Sequence, residues 1–176
     1  MSQNDARDVR SSSASALSAV NDFSIFQAEA ARDIAHIREL FLEYAQSLGF
    51  SLCFQNFDKE LADLPGDYAP PSGRLLLARL GDAPAGCVAL HKFQSDICEM
   101  KRLYVRPAFR GKRIGRILAD RIIAEARNIG YKSMRLDTVE PVMRDAVGLY
   151  RKLGFREIDP YRVNPMEGTL YMELTL

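Results

Sequence analysis

A basic turn that contains two glycines joins a strand to a long amphipathic helix in this chain. It runs through Arg110-Gly111-Lys112-Arg113-Ile114-Gly115-Arg116, shortly after an apolar strand pattern that ends at Val105. The first turn of a helix has backbone N–H groups without intrahelical partners and carries the positive end of the helix dipole. Because glycine has no Cβ, a phosphate can approach the backbone at Gly111 and Gly115. The segment therefore predicts an anion site.

The spacing of the turn excludes the two common nucleotide-binding loops. The segment has neither GxxxxGK followed by Ser or Thr nor GxGxxG. A solvated basic turn is the alternative, and the glycines alone would favour it. The layout suits an elongated phosphate-bearing ligand whose extended arm runs along the preceding strand.

Hydrophobic periodicity divides the rest of the chain into alternating strands and helices. The predicted strands are 23–28, 74–80, 85–92, 99–105, 133–138, 155–159 and 169–176, and the predicted helices are 34–48, 57–64, 113–128 and 144–153. This order predicts an α/β fold, with a mixed sheet and helices on its faces. Residues 1–22 are polar and rich in Ser, Ala and Asp, a composition typical of a flexible tail.

Composition limits both the size and the chemistry of the protein. The chain has 176 residues, of which 47% are hydrophobic, and a formal net charge of +1. It therefore fits one globular domain and lacks the global basic field of a nucleic-acid-binding protein. Three cysteines without a CxxC pair and two histidines argue against a metal site, so we expect none. No apolar run reaches the roughly 20 residues that span a bilayer, so we expect a cytoplasmic protein with no membrane contact.

The turn resembles the signature of the GNAT N-acetyltransferase superfamily, Arg/Gln-x-x-Gly-x-Gly/Ala, which here reads Arg110-Gly111-Lys112-Arg113-Ile114-Gly115. Arg113 stands where the family usually has glycine. The resemblance covers residues 23–176 and implies a single-domain, mostly antiparallel sheet of about seven strands with about four helices. It also implies acetyl-CoA as co-substrate. Its pyrophosphate would lie on residues 110–116, and its pantetheine arm would lie along the backbone of Leu103, Tyr104 and Val105.

Two residues are candidates for the chemistry of aminolysis, which needs a neutral amine and a proton for the leaving thiolate. The segment 146–155 resembles the family pattern Ala-x-x-Leu-Tyr-x-x-x-Gly-Phe, which implies that Tyr150 is the general acid. The alternative is that Tyr150 only packs on the buried side of its helix. Glu99 begins the cofactor strand, where many relatives have a catalytic base. The competing interpretation pairs Glu99 with Lys101 or Arg102 as a solvated charge at a strand edge.

The acceptor pocket is expected between the loop 50–57 and the segment 161–165. Aromatic side chains with a few amides suit a small polar substrate, and arginine suits a carboxylate on it. The candidate substrate-binding residues are Phe54, Gln55, Arg102, Tyr161 and Asn164. The resemblance implies an enzyme that acetylates an amine of a small molecule or peptide bound in this pocket.

Other interpretations remain open from the sequence. An acyl-CoA-binding sensor would keep the pocket without turnover. A nucleic-acid-binding protein would use the seven basic residues between Lys101 and Arg116. A covalent acyl-cysteine is disfavoured, because Cys87 and Cys98 lie in apolar strands, so we expect direct transfer. The apolar last strand, 169–174, is a candidate surface for a homodimer.

Overall fold

The computed structural model describes residues 23–52 and 56–176, and the expectations for the N-terminal tail, Cys53, Phe54 and Gln55 lie outside these ranges. The seven strands are β1 (Phe23–Gln27), β2 (Arg74–Leu80), β3 (Ala83–Lys92), β4 (Ile97–Val105), β5 (Ser133–Val139), β6 (Arg156–Ile158) and β7 (Thr169–Thr175). The four α-helices are α1 (Ala31–Ser47), α2 (Phe57–Asp63), α3 (Ile114–Ile129) and α4 (Arg144–Leu153). Short 3₁₀ turns lie at Gly66–Tyr68 and Pro107–Phe109. The order of elements is the one predicted.

The strands form one sheet in the order β1-β2-β3-β4-β5-β7-β6. The β4–β5 pair is parallel and the other pairs are antiparallel. The predicted mixed, mostly antiparallel seven-stranded sheet with four helices is therefore confirmed. The single parallel pair lies in the middle of the sheet, and it is there that the site is built.

Side chains that alternate along the strands form two hydrophobic clusters. Leu76 and Val88 belong to the cluster that includes the apolar face of α3. Leu75 and Leu77 belong to the other cluster, which includes the apolar face of α1. The sheet is thus covered by α3 and α4 on one face and by α1 and α2 on the other. This burial holds β4 rigidly between two layers.

The amphipathic pattern of 113–128 becomes α3, which lies across β2, β3 and β4. Leu118, Ile122 and Ala126 are fully buried on its inner face. The helix ends at Gly130, which has φ 102° and donates to the carbonyls of Ala126 and Arg127. A left-handed conformation here is what glycine adopts at low cost, as the pattern predicts.

The last strand, β7, is an interior strand. It pairs with β5 on one side and with β6 on the other. Its apolar residues Tyr171, Met172 and Leu174 are buried in the chain's own core. The apolar character that made this strand a candidate dimer surface is therefore explained within one chain, and the strand offers no argument for a dimer.

Within residues 23–52 and 56–176, no helix has the length and the apolar character that crossing a bilayer requires.

Candidate active site

The two parallel strands separate halfway along their length. β4 and β5 are paired only at Ile97–Ser133, Cys98–Met134 and Glu99–Arg135, although both strands continue beyond these pairs. At the same point β4 has a bulge, since Arg102 has φ 57° and the register with β3 shifts between Cys87 and Ala89. A bulge bends its strand and ends regular pairing. The sheet therefore opens into a gap between β4 and β5, which we call the notch.

A cavity lies in the notch, and we call it the notch cavity. Its lining includes Tyr44, Met100, Lys101, Arg102, Leu103, Leu136, Asp137, Met143, Tyr150 and Asn164. Tyr150 reaches it from α4, and its ring packs against Phe155 at 5.7 Å between ring centroids. Burial raises the pKa of the Tyr150 phenol, because the phenolate would lose hydration. The phenol is therefore protonated at neutral pH and can donate a proton into the notch cavity.

The anion site predicted at the basic turn consists of unused backbone N–H groups. Within the described residues, no backbone or side-chain group accepts a hydrogen bond from the amides of residues 111–116. The first intrahelical bond of this region runs from the amide of Ile117 to the carbonyl of Arg113 at 3.0 Å. Gly111 has φ 77°, a conformation that side chains disfavour. Successive free amides at a helix start form a concavity suited to a phosphate.

Arg113 occupies the N-cap of α3 with φ 62° and ψ 9°. This is the left-handed region, where glycine is the residue of lowest cost. The conformation gives a physical reason for the family's glycine at this position. Arg113 adopts the same backbone at a cost of roughly 1–2 kcal/mol. Its side chain is exposed, so the substitution leaves the amides accessible.

The basic residues near the turn are in two different situations. Arg106 binds both oxygens of Glu43, with Nε–O distances of 3.1 and 3.0 Å, and also reaches Glu39. Arg116 pairs with Asp120 at 2.8 Å. The exposed side chains of Arg110 and Lys112 extend the positive potential beside the free amides. The seven charges are thus not one continuous surface, which weakens the case for a nucleic-acid interface.

Glu99 is completely buried and lies at the centre of a polar cluster. The Tyr161 hydroxyl donates to Oε1 at 2.7 Å, and His91 Nε2 lies 2.8 Å from Oε2. Arg162 Nη2 contacts Oε1, and Lys101 Nζ lies 3.9 Å from Oε2. β4 is an interior strand, so the interpretation of Glu99 as a solvated charge at a strand edge is wrong. Glu99 is buried by tertiary packing, which the local sequence pattern does not show.

Arg102 is held by a carboxylate of the protein itself. Its Nε and Nη2 donate to the two oxygens of Glu60 at 2.9 and 2.5 Å, and its side chain is 2% exposed. Its guanidinium also lies over the ring of Phe57 at 5.1 Å. A substrate carboxylate that binds through Nε and Nη2 would therefore have to displace Glu60. Burial opposes ionisation of Glu60, yet hydrogen bonds from Arg102 and Tyr68 hold the pKa of its carboxyl below the ordinary value.

A second cavity of about 340 Å³ opens beside the polar cluster, and we call it the charged cavity. It is lined by Asn56, Lys59, Glu60, Asp63, Pro65, Gly66, Asp67, Tyr68, His91, Glu99, Lys101 and Arg162. Its lining carries both signs of charge and only a few apolar groups. Glu60, His91 and Arg162 were missed by the sequence interpretation, because they come from separate segments with no shared motif.

The remaining acceptor candidates fall on different parts of the site. Tyr161 supports Glu99 through its hydroxyl, and its ring packs against Phe93 and Tyr171. Asn164 lines the notch cavity and donates from Nδ2 to Asp137 at 2.9 Å. The structure thus brings the segment 161–165 to the site.

The two cysteines of the described chain are free thiols buried in the core. Burial raises the pKa of Cys87 well above its ordinary value and raises the pKa of Cys98 to about 12. Both thiols donate weak hydrogen bonds to backbone carbonyls, of Arg102 and Ser133 respectively. Neither therefore forms the thiolate that a nucleophile requires.

The notch, a protonated tyrosine beside it and the free amides at the start of α3 are features that an acyltransferase acting on a long phosphate-bearing thioester would use. The profile of the acetyltransferase (GNAT) family matches residues 34–155. An uncharacterized N-acetyltransferase of Schizosaccharomyces pombe is 42% identical over 158 residues, which cover 89% of this chain and 96% of that protein. The chain belongs to the GNAT family of N-acetyltransferases.

Solved structures show the same fold. An acetyltransferase from Streptococcus agalactiae superposes with a TM-score of 0.72 at 22% identity, over 89% of this chain and 99% of that chain. A GNAT family acetyltransferase from Elizabethkingia anophelis, with acetyl-CoA bound, superposes with a TM-score of 0.65 at 23% identity. That alignment covers 89% of this chain and 99% of the other.

Proposed function

We propose that this protein transfers the acetyl group of acetyl-CoA to the primary amine of a small molecule or peptide, by direct attack in a ternary complex. The observation that carries the proposal is the notch between β4 and β5, with the free amides of 111–116 beyond the C-terminal end of β4. A pyrophosphate on those amides leaves the pantetheine arm to run along β4 beside Leu103, Tyr104 and Val105. The reactive end of the cofactor would then lie in the notch cavity.

Tyr150 is the proposed general acid. Its phenol faces the notch cavity, and its raised pKa keeps it protonated at neutral pH. The phenol would donate this proton to the sulfur of CoA as the C–S bond breaks. Proton transfer to it prevents the reverse attack on the new amide.

Glu99 is the proposed acceptor of the amine proton, directly or through a water molecule. It lines the charged cavity, where an amine would wait before it attacks. Tyr161 and His91 fix the carboxylate in place. If Glu99 takes the proton, Glu99→Gln should lower kcat and alter its dependence on pH. A variant with the turnover and pH profile of the wild type would remove Glu99 from the mechanism.

The full chain should be assayed with acetyl-CoA against a panel of amines, with CoA release measured by a thiol reagent and the acetylated amine by mass spectrometry. The panel should include amino acids, polyamines, arylamines and peptides with free N-termini. We expect one class to be acetylated. Binding of acetyl-CoA without transfer to any amine would instead support an acyl-CoA-binding sensor.

The role of Tyr150 is tested by Tyr150→Phe. We expect kcat to fall about 100-fold, since general acid catalysis typically contributes 10²–10⁴-fold, while CoA affinity measured by calorimetry changes less than about threefold. Tyr131→Phe is the matched control, because Tyr131 is a buried tyrosine whose hydroxyl donates to the Ser72 carbonyl at 2.8 Å, outside both cavities. An unchanged kcat in Tyr150→Phe would refute the role.

A further inference from the structure

Lys101 stands where the two cavities meet. Among the described residues it alone lines both the notch cavity and the charged cavity. Its side chain is 9% exposed. A group at this junction is next to both the proposed acetyl donor and the proposed acceptor amine.

The pairing of β4 with β3 places Lys101 on the face of the sheet that α1 covers. Lys101 is opposite Ala89 on β3, and Ala89 belongs to the cluster on the α1 face of the sheet. The bulge at Arg102 follows directly, at the level where β4 has left β5. The other lysine near the site, Lys59, is 77% exposed and is bound to Asp63. Among the described lysines, Lys101 is the one that lines the notch cavity.

The charges around Lys101 come from several elements. Burial, and then the guanidinium of Arg102, lower the pKa of Lys101 to about 8, against the opposing effects of Asp137 and Glu60. Glu99 on the same strand and Arg162 from the β6–β7 connection also face the charged cavity. A substantial share of the side chain is then the neutral amine near pH 8. Neutral lysine is a nucleophile, whereas lysine ammonium is not.

We propose that Lys101 is a self-acetylation site, which takes the acetyl group of acetyl-CoA bound in the notch when no acceptor amine is present. The inference rests on the proposed binding of acetyl-CoA. The Nζ lone pair attacks the thioester carbonyl, an N–C bond forms and the C–S bond breaks. Nitrogen loses one proton, and the departing CoA thiolate gains one, so that the products are an acetyl-lysine and CoA.

The modification would close the site to an acceptor. The acetyl amide is stable, so it is an end product and not an intermediate of transfer. It adds three heavy atoms at the junction of the cavities and removes the positive charge beside Glu99. Self-acetylation would therefore lower the amine acetylation that the unmodified chain performs.

The full chain is incubated with acetyl-CoA and no amine, and its acetylated positions are mapped by mass spectrometry. We expect a gain of one acetyl group, on Lys101, and a rate about tenfold higher at pH 9 than at pH 7, as follows for an amine of pKa about 8. Lys101→Arg should lose this gain, and Lys132→Arg, which changes an exposed lysine, should keep it. Acetyl phosphate, a donor without the CoA moiety, should show no preference for Lys101.

Four outcomes would overturn the inference. Acetylation confined to exposed lysines, or equally strong labelling of Lys101 by acetyl phosphate, would mean simple chemical reactivity. An unmodified Lys101 in a chain that binds acetyl-CoA and acetylates amines would refute self-acetylation and leave the proposed function intact. Absence of acetyl-CoA binding by calorimetry would refute both.

Discussion

The middle of β4 and the turn beyond its C-terminal end both carry positive charge, but they use it in opposite ways. In the middle, Arg102 is buried and binds both oxygens of Glu60. Beyond the end, Arg110 and Lys112 are exposed, and the amides of 111–116 have no acceptor among the described residues. The first region is internally satisfied, and the second is open to an anion.

The difference shows that burial, more than residue type, decides what an arginine does. A buried guanidinium needs a carboxylate of its own chain, because an unpaired buried charge is very costly. An exposed basic turn has no such need: Arg110 donates from Nε to the Val105 carbonyl at 3.2 Å, and its charge stays open to a ligand. The same contrast explains why Arg102 is a poor candidate for a substrate carboxylate and why Arg110 is a good candidate for a pyrophosphate.

The largest effect is expected from Arg102→Met, which leaves the mostly buried Glu60 without its charged partner. We expect the free energy of unfolding to fall by about 3–5 kcal/mol, as measured by urea denaturation. Arg116→Met is the control, because Arg116 and Asp120 are both about half exposed and their pair should contribute under about 1 kcal/mol. Adding Glu60→Gln to Arg102→Met should recover part of the loss. Equal costs for Arg102→Met and Arg116→Met would contradict the contrast.

Acid should weaken the ion pair between Arg102 and Glu60. The pKa of Glu60 is lowered in the folded chain, so the unfolded chain takes up its proton first as pH falls. The pair's stabilisation is therefore present above the ordinary carboxyl pKa of about 4.3 and is lost as pH falls below it. Glu60→Gln removes the counter-charge of the buried Arg102 but keeps an amide oxygen as an acceptor, so it should lose about 3 kcal/mol at pH 7 and show a shallower decline in acid, in urea titrations at several pH values. A decline as steep as that of the wild type would place the acid sensitivity elsewhere.

A smaller effect is expected at the basic turn beyond the C-terminal end of β4. Arg110→Ala and Lys112→Ala should each weaken CoA binding about 3–10-fold at low salt, which corresponds to roughly 1 kcal/mol. Added salt should reduce the difference, because exposed charges are screened. Arg106→Ala serves as the control, since Arg106 is bound to Glu43 and should change CoA affinity less than about twofold. A larger loss of CoA affinity in Arg106→Ala than in Arg110→Ala would indicate that the anion site lies elsewhere.

The smallest effect is expected from Arg113→Gly. Relief of the left-handed backbone, about 1–2 kcal/mol, is largely offset by the greater freedom of glycine in the unfolded chain. We expect thermal stability and CoA affinity to change little, affinity by less than about twofold. Arg113→Val, a branched residue at φ 62°, should lower the melting temperature by several degrees. Unchanged stability in Arg113→Val would indicate that the backbone relaxes.

Local patterns predicted the elements well, because strand alternation and helical periodicity are short-range properties. α4 was predicted with its observed bounds, and β4 begins at Ile97, two residues before the predicted start. Contiguous motifs support the candidate site only at residues 110–116 and 146–155, and the roles they imply stay predictions. Glu60 had no such signal, since its partner Arg102 is 42 residues away.

The sequence by itself determined the order of strands and helices, the family and the position of the basic turn at the start of α3, because each depends on neighbouring residues. Tertiary structure alone decided which charges are buried. It brought the Tyr161 hydroxyl, 62 residues away along the chain, into a hydrogen bond with the Glu99 carboxylate. It also placed Lys101 between two cavities. The physical reason is that the cost of a charge depends on the solvent and partners around it, and these come from elements that only folding brings together.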